Sequence, residues 1–315
     1  MRPLRPRRSC LAVPGSSVKM LTKAQGLPAD MVFLDLEDAV APDAKEPARA
    51  NIVAALNEGD WAGKTTAVRV NDLTTRWTYR DVIEVVEGAG PKLDCVMLPK
   101  TQSAAHVAWL DLLLTQIEET NGFEPGGIGI EVQIENAAGL LNIREIVAAS
   151  DRIETLIFGP ADFMASLGMR SLVVGALHPD YPGDPYHQIL MTILLAARAT
   201  GVQAIDGPYL QIKDVDGFRE VAKRSALLGY DGKWVLHPGQ IDAANEVYAP
   251  SQEDYDHAEL ILDAYEHSTT IDKRGAVMLG DEMIDEASRK MALVIAAKGR
   301  AAGMSRTSKF TPPEA

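Results

Sequence analysis

Gly129-Ile-Glu-Val-Gln-Ile-Glu-Asn136 and, further on, Thr155-Leu-Ile-Phe-Gly-Pro-Ala-Asp162 decide how this chain folds. Each begins as a short, mostly apolar run bounded by glycine or proline, the composition of a strand buried on both faces. Between them Asn142 to Ala149 places apolar residues three and four apart, the spacing of a helix with one buried side. A strand, a helix and a second strand in that order form a parallel unit, because a parallel neighbour is reached only by a crossover connection.

Outward from this unit the same alternation recurs. Apolar runs fall at Cys10 to Val13, Met31 to Leu34, Thr66 to Val70, Cys95 to Leu98, Gln203 to Ile205 and Lys233 to Leu236. Helical spacing fills Lys45 to Leu56, His106 to Glu119, Ile189 to Ala199 and Asp216 to Leu228. Eight such repeats predict an α/β chain folded as a (β/α)8 TIM barrel. A doubly wound sheet is the runner-up, and the chain lacks its dinucleotide glycine fingerprint. Ser171 to Pro185, punctuated by Pro179, Pro182 and Gly183, reads as a long loop in the sixth unit.

After Pro250 the pattern changes. Glu253 to His267 reads as one helix, Thr269 to Gly280 as an irregular or extended link, and Glu282 to Ala301 as a last helix. The expected organisation is a catalytic barrel over 1–250, a small helical lid and oligomerisation appendage over 251–303, and a disordered tail over 304–315.

Composition narrows the function. Lys and Arg number 31 against 44 Asp and Glu, a formal charge of −13, and Arg2, Arg5, Arg7 and Arg8 crowd the start, leaving about −17 on the rest. Such a body repels phosphate backbones, so nucleic acid is not an expected partner. Cys10 and Cys95 are the only cysteines, which excludes a disulfide framework and fits a cytoplasmic setting. Neither a signal peptide nor a membrane span is expected, since no window carries the apolar length.

Polar residues follow the apolar runs directly: Asp35, Glu37 and Asp38; Arg69 and Asn71; Lys100; Glu135 and Asn136; Asp162; Asp206; His237. In a barrel these positions share one rim, the face where catalytic groups gather. Glu135 and Asp162 leave adjacent strands, so their carboxylates can converge on one hard cation, Mg²⁺ or Mn²⁺, or else each serves a helix N-terminus. Arg69, inside an apolar run, needs an anion: an oxyanion ligand, an internal pair with Asp35, Glu37 or Asp38, or both. Lys100 reads as an acid's partner and His237 as a hydrogen-bonded rim histidine. Gly15, with Lys19 and Lys23 behind it, is a weak phosphate signal.

Taken in order, Arg8-Ser9 with Leu11-Ala-Val-Pro-Gly15, Phe33-Leu-Asp-Leu-Glu-Asp-Ala-Val40, Val68-Arg-Val-Asn71, Met97-Leu-Pro-Lys100, Ile134-Glu-Asn-Ala-Ala-Gly139, Phe158-Gly-Pro-Ala-Asp162 and Gly232-Lys-Trp-Val-Leu-His-Pro-Gly-Gln-Ile241 resemble a known family. It is the CoA-ester lyases of the HpcH/HpaI aldolase and citrate lyase β-subunit superfamily, and within it the malyl-CoA and β-methylmalyl-CoA lyases. The resemblance runs from about Arg8 to about Ala301. It implies a Mg²⁺-dependent barrel (Mn²⁺ the alternative) that cleaves or forms the carbon–carbon bond of a 3-hydroxyacyl-CoA, with an acyl-CoA thioester and a small 2-oxoacid, glyoxylate or pyruvate, as partners. It further implies a homotrimer or homohexamer.

Carried onto this chain, Glu135 and Asp162 match the metal ligands and Arg69 the arginine beside the substrate oxygens. Asp285 matches a lid aspartate that acts as acid or base from a neighbouring subunit. Lys19, Lys23, Asp38, Pro160 and Ala161 stand as substrate- or CoA-binding candidates. Gly280-Asp-Glu ahead of Met283, and a shorter sixth loop, depart from the pattern near the pocket. A malyl-CoA thioesterase and a citrate-lyase-type subunit acting on a carrier-bound thioester are the alternative activities.

Overall fold

A computed structural model describes residues 4–311 apart from 176, 178 and 272. They divide into two compact units that part between Tyr248 and Ala249.

In the first unit eight parallel strands close a barrel in sequence order: β1 (Ser9–Pro14), β2 (Met31–Asp35), β3 (Thr65–Arg69), β4 (Cys95–Leu98), β5 (Gly129–Ile134), β6 (Ile153–Phe158), β7 (Gln203–Asp206) and β8 (Gly232–Val235). Strand β1 pairs with both β2 and β8, so no edge is left. Ten helices connect and surround them: α1 (Val18–Gln25), α2 (Lys45–Glu58), α3 (Thr78–Ala89), α4 (Ala104–Asn121), α5 (Ala137–Leu141), α6 (Ile143–Val147), α7 (Pro160–Leu167), α8 (His187–Thr200), α9 (Val215–Leu228) and α10 (Ile241–Val247). The (β/α)8 barrel expected from the sequence is the architecture observed. The described residues between α7 and α8 form no helix or strand, as the proline-rich stretch suggests; Ala176 and His178 of that loop lie outside the described residues.

Strand alternation explains the unbroken apolar runs. Met31 and Phe33 of β2, Cys95 and Met97 of β4, Ile157 of β6, Ile205 of β7 and Trp234 of β8 pack together in one cluster. Their sequence neighbours Val32, Leu34, Val96, Leu98, Leu156 and Val235 belong to the larger layer shared with the helices. Both faces of each strand are therefore dry. Strand β5 breaks the pattern by turning Glu131 and Gln133 into the same buried environment.

Glu131 is tolerated because Arg7 answers it. The Arg7 side chain is fully buried and donates to Glu131 Oε1 at 2.8 Å, Glu154 Oε2 at 2.7 Å and Gln203 Oε1 at 2.6 Å. The arm ahead of β1 thus crosses the strand starts of β5, β6 and β7. A Cβ at Gly232 would lie 1.7 Å from the Arg7 carbonyl oxygen, so the crossing needs glycine there.

The second unit holds α11 (Gln252–Thr270), an antiparallel hairpin of β9 (Val277–Leu279) and β10 (Glu282–Ile284), and α12 (Glu286–Ala301) around Ala258, Ile261, Ile284, Ala292 and Ala296. Sequence spacing had predicted a link and then one helix from Glu282. Instead Gly280, at φ +59°, turns the chain back and Ile284 is buried in the unit's core. Asp285 then starts the helix by capping it: its Oδ1 accepts from the amides of Ala287 (2.9 Å) and Ser288 (3.1 Å). The tail from Met304, expected to be disordered, has no helix or strand through Thr311, yet Thr307 donates to Asp256 Oδ1 at 2.8 Å and Ser305 accepts from Gln252 at 3.0 Å. Residues 312–315 of that expectation lie outside the described residues. Among the described residues no helix is long and apolar enough to cross a membrane.

The barrel's dependence on Arg7 is testable. Arg7→Met fills similar space but leaves Glu131 buried without its cation and Glu154 with Arg5 alone, so unfolding free energy from urea denaturation should fall by about 3–5 kcal/mol. An unchanged denaturation midpoint would show that the two carboxylates are satisfied in some other way.

Candidate active site

Parallel register places Asp35 at the end of β2 beside Arg69 at the end of β3. The guanidinium forks onto that carboxylate, Nε at 2.7 Å from Oδ1 and Nη2 at 2.6 Å from Oδ2. Nη1 lies 2.9 Å from Glu37 Oε2 and 3.8 Å from Asp38 Oδ2. The guanidinium carbon sits 5.9 Å from the Phe33 ring centre and 5.3 Å from that of Trp234, so the charge lies over one side of two rings that contact each other. Of the roles left open for Arg69, the internal ion pair is present in full. Burial by itself would raise Asp35, but Arg69 holds it below the usual carboxylate range.

The loop after β2 is fixed from beneath. Lys45 Nζ donates to the carbonyls of Leu36 (2.9 Å) and Glu37 (2.8 Å), and the amides of Glu37 and Ala39 donate to Asp35 at 2.9 and 3.1 Å. Glu37 is thereby aimed at Lys100, whose Nζ lies 2.6 Å from its Oε1. The same ammonium is 3.7 Å from Asp38 and 3.8 Å from Asp162.

Glu135 follows β5 and is 1% exposed. Its Oε1 accepts from the Lys100 amide and its Oε2 from Gln133 Nε2, both at 2.6 Å. Gly159 closes the third side, because a Cβ there would stand 2.4 Å from Glu135 Cβ and 2.5 Å from Oε2. Burial, then repulsion from Glu37 and Asp162, pushes Glu135 up to about 8. Burial likewise lifts Glu37 to about 7 against the pull of Arg69. Asp162 lies in the first turn of α7 with its side chain 41% exposed. The capping alternative fails for Glu135: α5 is capped by Asn136, which accepts from Gly139 at 2.8 Å.

These residues suit a hard divalent cation. The donors are all oxygen, a carboxylate accepts more bonds than Glu135 makes, and the repulsion that raises Glu135 is what a dication relieves. Among the described residues no three His, Cys, Asp or Glu side chains are arranged as metal ligands, and Glu135 and Asp162 are the two carboxylates there that could hold a cation.

Other expected positions fall out differently. Lys19 and Lys23 are exposed on the first and last turns of α1. Pro160 is buried at the first position of α7 and Ala161 is exposed beside Asp162. Gly15 brings its backbone close to β2 rather than to open space, its amide donating to Asp35 O at 2.8 Å. Asp206 is removed from the rim: it takes Lys233 Nζ at 2.6 Å in a buried pair. His237 is a rim histidine whose Nδ1 accepts from Gly239 at 3.1 Å. Asp285 belongs to the second unit, where the amides of Ser288 and Ala287 hold it below the usual carboxylate range. Gln133 and Lys45 were missed. Gln133 stands two residues before Glu135 on the same strand face, a signal period-two reading carries; Lys45 reads as an ordinary helix residue until its carbonyl partners are known.

The Glu135 cradle makes Gly159→Ala informative. The added methyl must displace the carboxylate, and Mg²⁺ affinity measured by titration calorimetry should drop by about 10- to 100-fold, as for other residues that orient ligands. Unaltered affinity would mean that Glu135 is not the ligand.

Comparison with known proteins identifies the family. The family model for HpcH/HpaI aldolase/citrate lyase matches residues 8–238. The chain is 42% identical over 302 residues to the L-malyl-CoA/β-methylmalyl-CoA lyase of Cereibacter sphaeroides, covering 93% of this chain and 94% of that one. It is 34% identical over 287 residues to the citrate lyase β subunit of Escherichia coli, covering 90% of each. Among solved structures, the CitE protein of Mycobacterium tuberculosis in complex with magnesium, acetoacetate and coenzyme A superposes with a TM-score of 0.72 at 30% identity, over 96% of this chain and 100% of that one. With a closed eight-stranded barrel and relatives named as lyases over nearly its whole length, the chain belongs to the HpcH/HpaI aldolase/citrate lyase family and is a carbon–carbon lyase.

Proposed function

We propose that this protein is a Mg²⁺-dependent CoA-ester lyase that reversibly cleaves a 3-hydroxyacyl-CoA such as L-malyl-CoA to acetyl-CoA and glyoxylate. The observation that carries this reading is the buried Glu135, cradled by the Lys100 amide, Gln133 and Gly159 and facing Asp162 across a rim already crowded with carboxylates. A Mg²⁺ or Mn²⁺ ion held by Glu135 and Asp162 would supply Lewis acidity toward the oxygens of the 2-oxoacid. The malyl-CoA lyase of C. sphaeroides and the magnesium-bound CitE support the choice of reaction and ion.

In the cleaving direction a base takes the 3-hydroxyl proton, the bond between C2 and C3 breaks, the hydroxyl carbon becomes the aldehyde of glyoxylate, and the electron pair passes to the thioester enolate. A proton returned to that carbon gives acetyl-CoA. Asp285 of a second copy is proposed to move the proton; its capping amides keep it ionised, the form in which it accepts one. Arg69, anchored through Nε and Nη2 to Asp35, presents its remaining edge toward Glu37 and Asp38 and steadies negative charge at the rim. Lys19 and Lys23 are proposed to face the phosphates of CoA, with Asp38, Pro160 and Ala161 lining the acyl end. The likeness to the E. coli citrate lyase β subunit favours a second reading, the same bond chemistry on a carrier-bound thioester.

Product analysis on purified protein and L-malyl-CoA separates these readings. Glyoxylate with acetyl-CoA is expected, lost in excess chelator and restored by Mg²⁺; free malate would instead identify a thioesterase, and inactivity on every CoA ester a carrier-dependent subunit. Arg69→Lys keeps the charge but loses the planar fork, and turnover should fall by about 10² or more.

The shared site is tested by mixing. Asp285→Asn and Glu135→Gln are each expected to be inactive. Co-expressed as hetero-oligomers in equal amounts, they should recover activity at about a quarter of the sites, by independent assembly. Verified mixtures that remain at single-variant background would rule out delivery of Asp285 from a neighbour and leave the lyase reading intact.

A further inference from the structure

Lys100 is built into the rim twice over. It follows β4 through Pro99 in the left-handed region, at φ +48°, a backbone conformation that disfavours any residue with a side chain. That conformation lets one residue reach in two directions: its amide donates to Glu135 Oε1 and its ammonium to Glu37 Oε1, each at 2.6 Å. The ammonium also stands 3.7 Å from Asp38 and 3.8 Å from Asp162, and its side chain is 23% exposed. One backbone strain therefore points a cation into the same carboxylates that suit a divalent ion.

Two cations held by the same carboxylates repel, and the repulsion is strong where water is partly excluded. Without a dication, Lys100 relieves the repulsion among Glu37, Asp38, Asp162 and Glu135. With one, it stands against it. We propose that Lys100 is a resident counter-cation: it stabilises the carboxylate cluster of the metal-free protein and competes with Mg²⁺, lowering the site's affinity for the ion. Its amide, in contrast, orients Glu135 in either state. Backbone and side chain of one residue then act in opposite senses on the same ion. This inference rests on the reading of Glu135 and Asp162 as the metal pair.

Titration calorimetry with Mg²⁺ on the full-length protein tests it through three variants. Lys100→Gly removes the ammonium while glycine adopts positive φ freely, so the amide bond to Glu135 is kept. Lys100→Met removes the ammonium at the original backbone cost, and Lys100→Arg retains a cation. The glycine variant decides. It should bind Mg²⁺ at least about tenfold more tightly than the wild type, with methionine shifted the same way and arginine close to wild type. Melting in chelator should show the glycine and methionine variants less stable than the wild type, and saturating Mg²⁺ should raise their Tm by more. A glycine variant that folds only with Mg²⁺ supports the proposal, and one unfolded with and without it overturns the counter-cation. Wild-type binding with equal or weaker binding by the glycine variant overturns it too, leaving the metal pair standing. Failure of the wild type to bind Mg²⁺ or Mn²⁺ overturns the metal pair and this inference together.

Discussion

Burying carboxylates without matching positive charge is costly, and the rim of this barrel gathers three buried ones, Asp35, Glu37 and Glu135, and the more open Asp38 and Asp162, around Arg69, Lys100 and the more distant Lys45. Much of the local structure answers that constraint. Arg69 lies over the Phe33 and Trp234 rings and forks onto Asp35; Lys45 grips two carbonyls so that Glu37 faces Lys100; Lys100 takes a strained backbone to serve Glu135 and Glu37 at once. The balance still leaves Glu135 and Glu37 well above the usual carboxylate range, an arrangement that favours a further cation.

The opposite end of the same barrel meets a similar problem with an arginine of the chain itself. There Arg7 meets Glu131 and Glu154 deep among side chains with no exposure, and the arm preceding β1 carries the arginine into place. Both ends thus place acidic groups near β5 and β6, and at both burial raises a carboxylate, Glu131 at the strand starts and Glu135 at the strand ends. The two ends differ in access: at the strand ends the side chains of Asp38 and Asp162 are 60% and 41% exposed, whereas at the strand starts those of Glu131 and Glu154 are 0% and 1% exposed.

The second unit shows how little one local motif reveals about function. Asp285 is a helix cap by every contact in the structure: Oδ1 takes two amides and Ser288 completes a capping box. A group held in this way is fixed in orientation and ionised, the form that accepts a proton, though the same bonds lower its basicity. Its assignment as the acid–base group stays a proposal resting on the family likeness, and the hairpin that delivers the chain to it, β9 to β10, was not visible as alternation in Val277 to Ile284 because each strand has three residues.

Sequence by itself determined the barrel and the rim, because two-sided burial writes long apolar runs and crossover helices write three-and-four spacing, both local patterns. It placed Arg69, Glu135 and Asp162 just where strands end, and the ordered motifs identified the family. Tertiary structure alone decided what each charged group touches. Register put Asp35 rather than water against Arg69; the β4 turn sent the Lys100 amide to Glu135, thirty-five positions along the chain; a buried pair drew Asp206 to Lys233 and away from the rim. Local sequence fixes the secondary structure at a position, whereas charge partners are chosen by approach between strands far apart in the chain, and that distance carries no periodic trace.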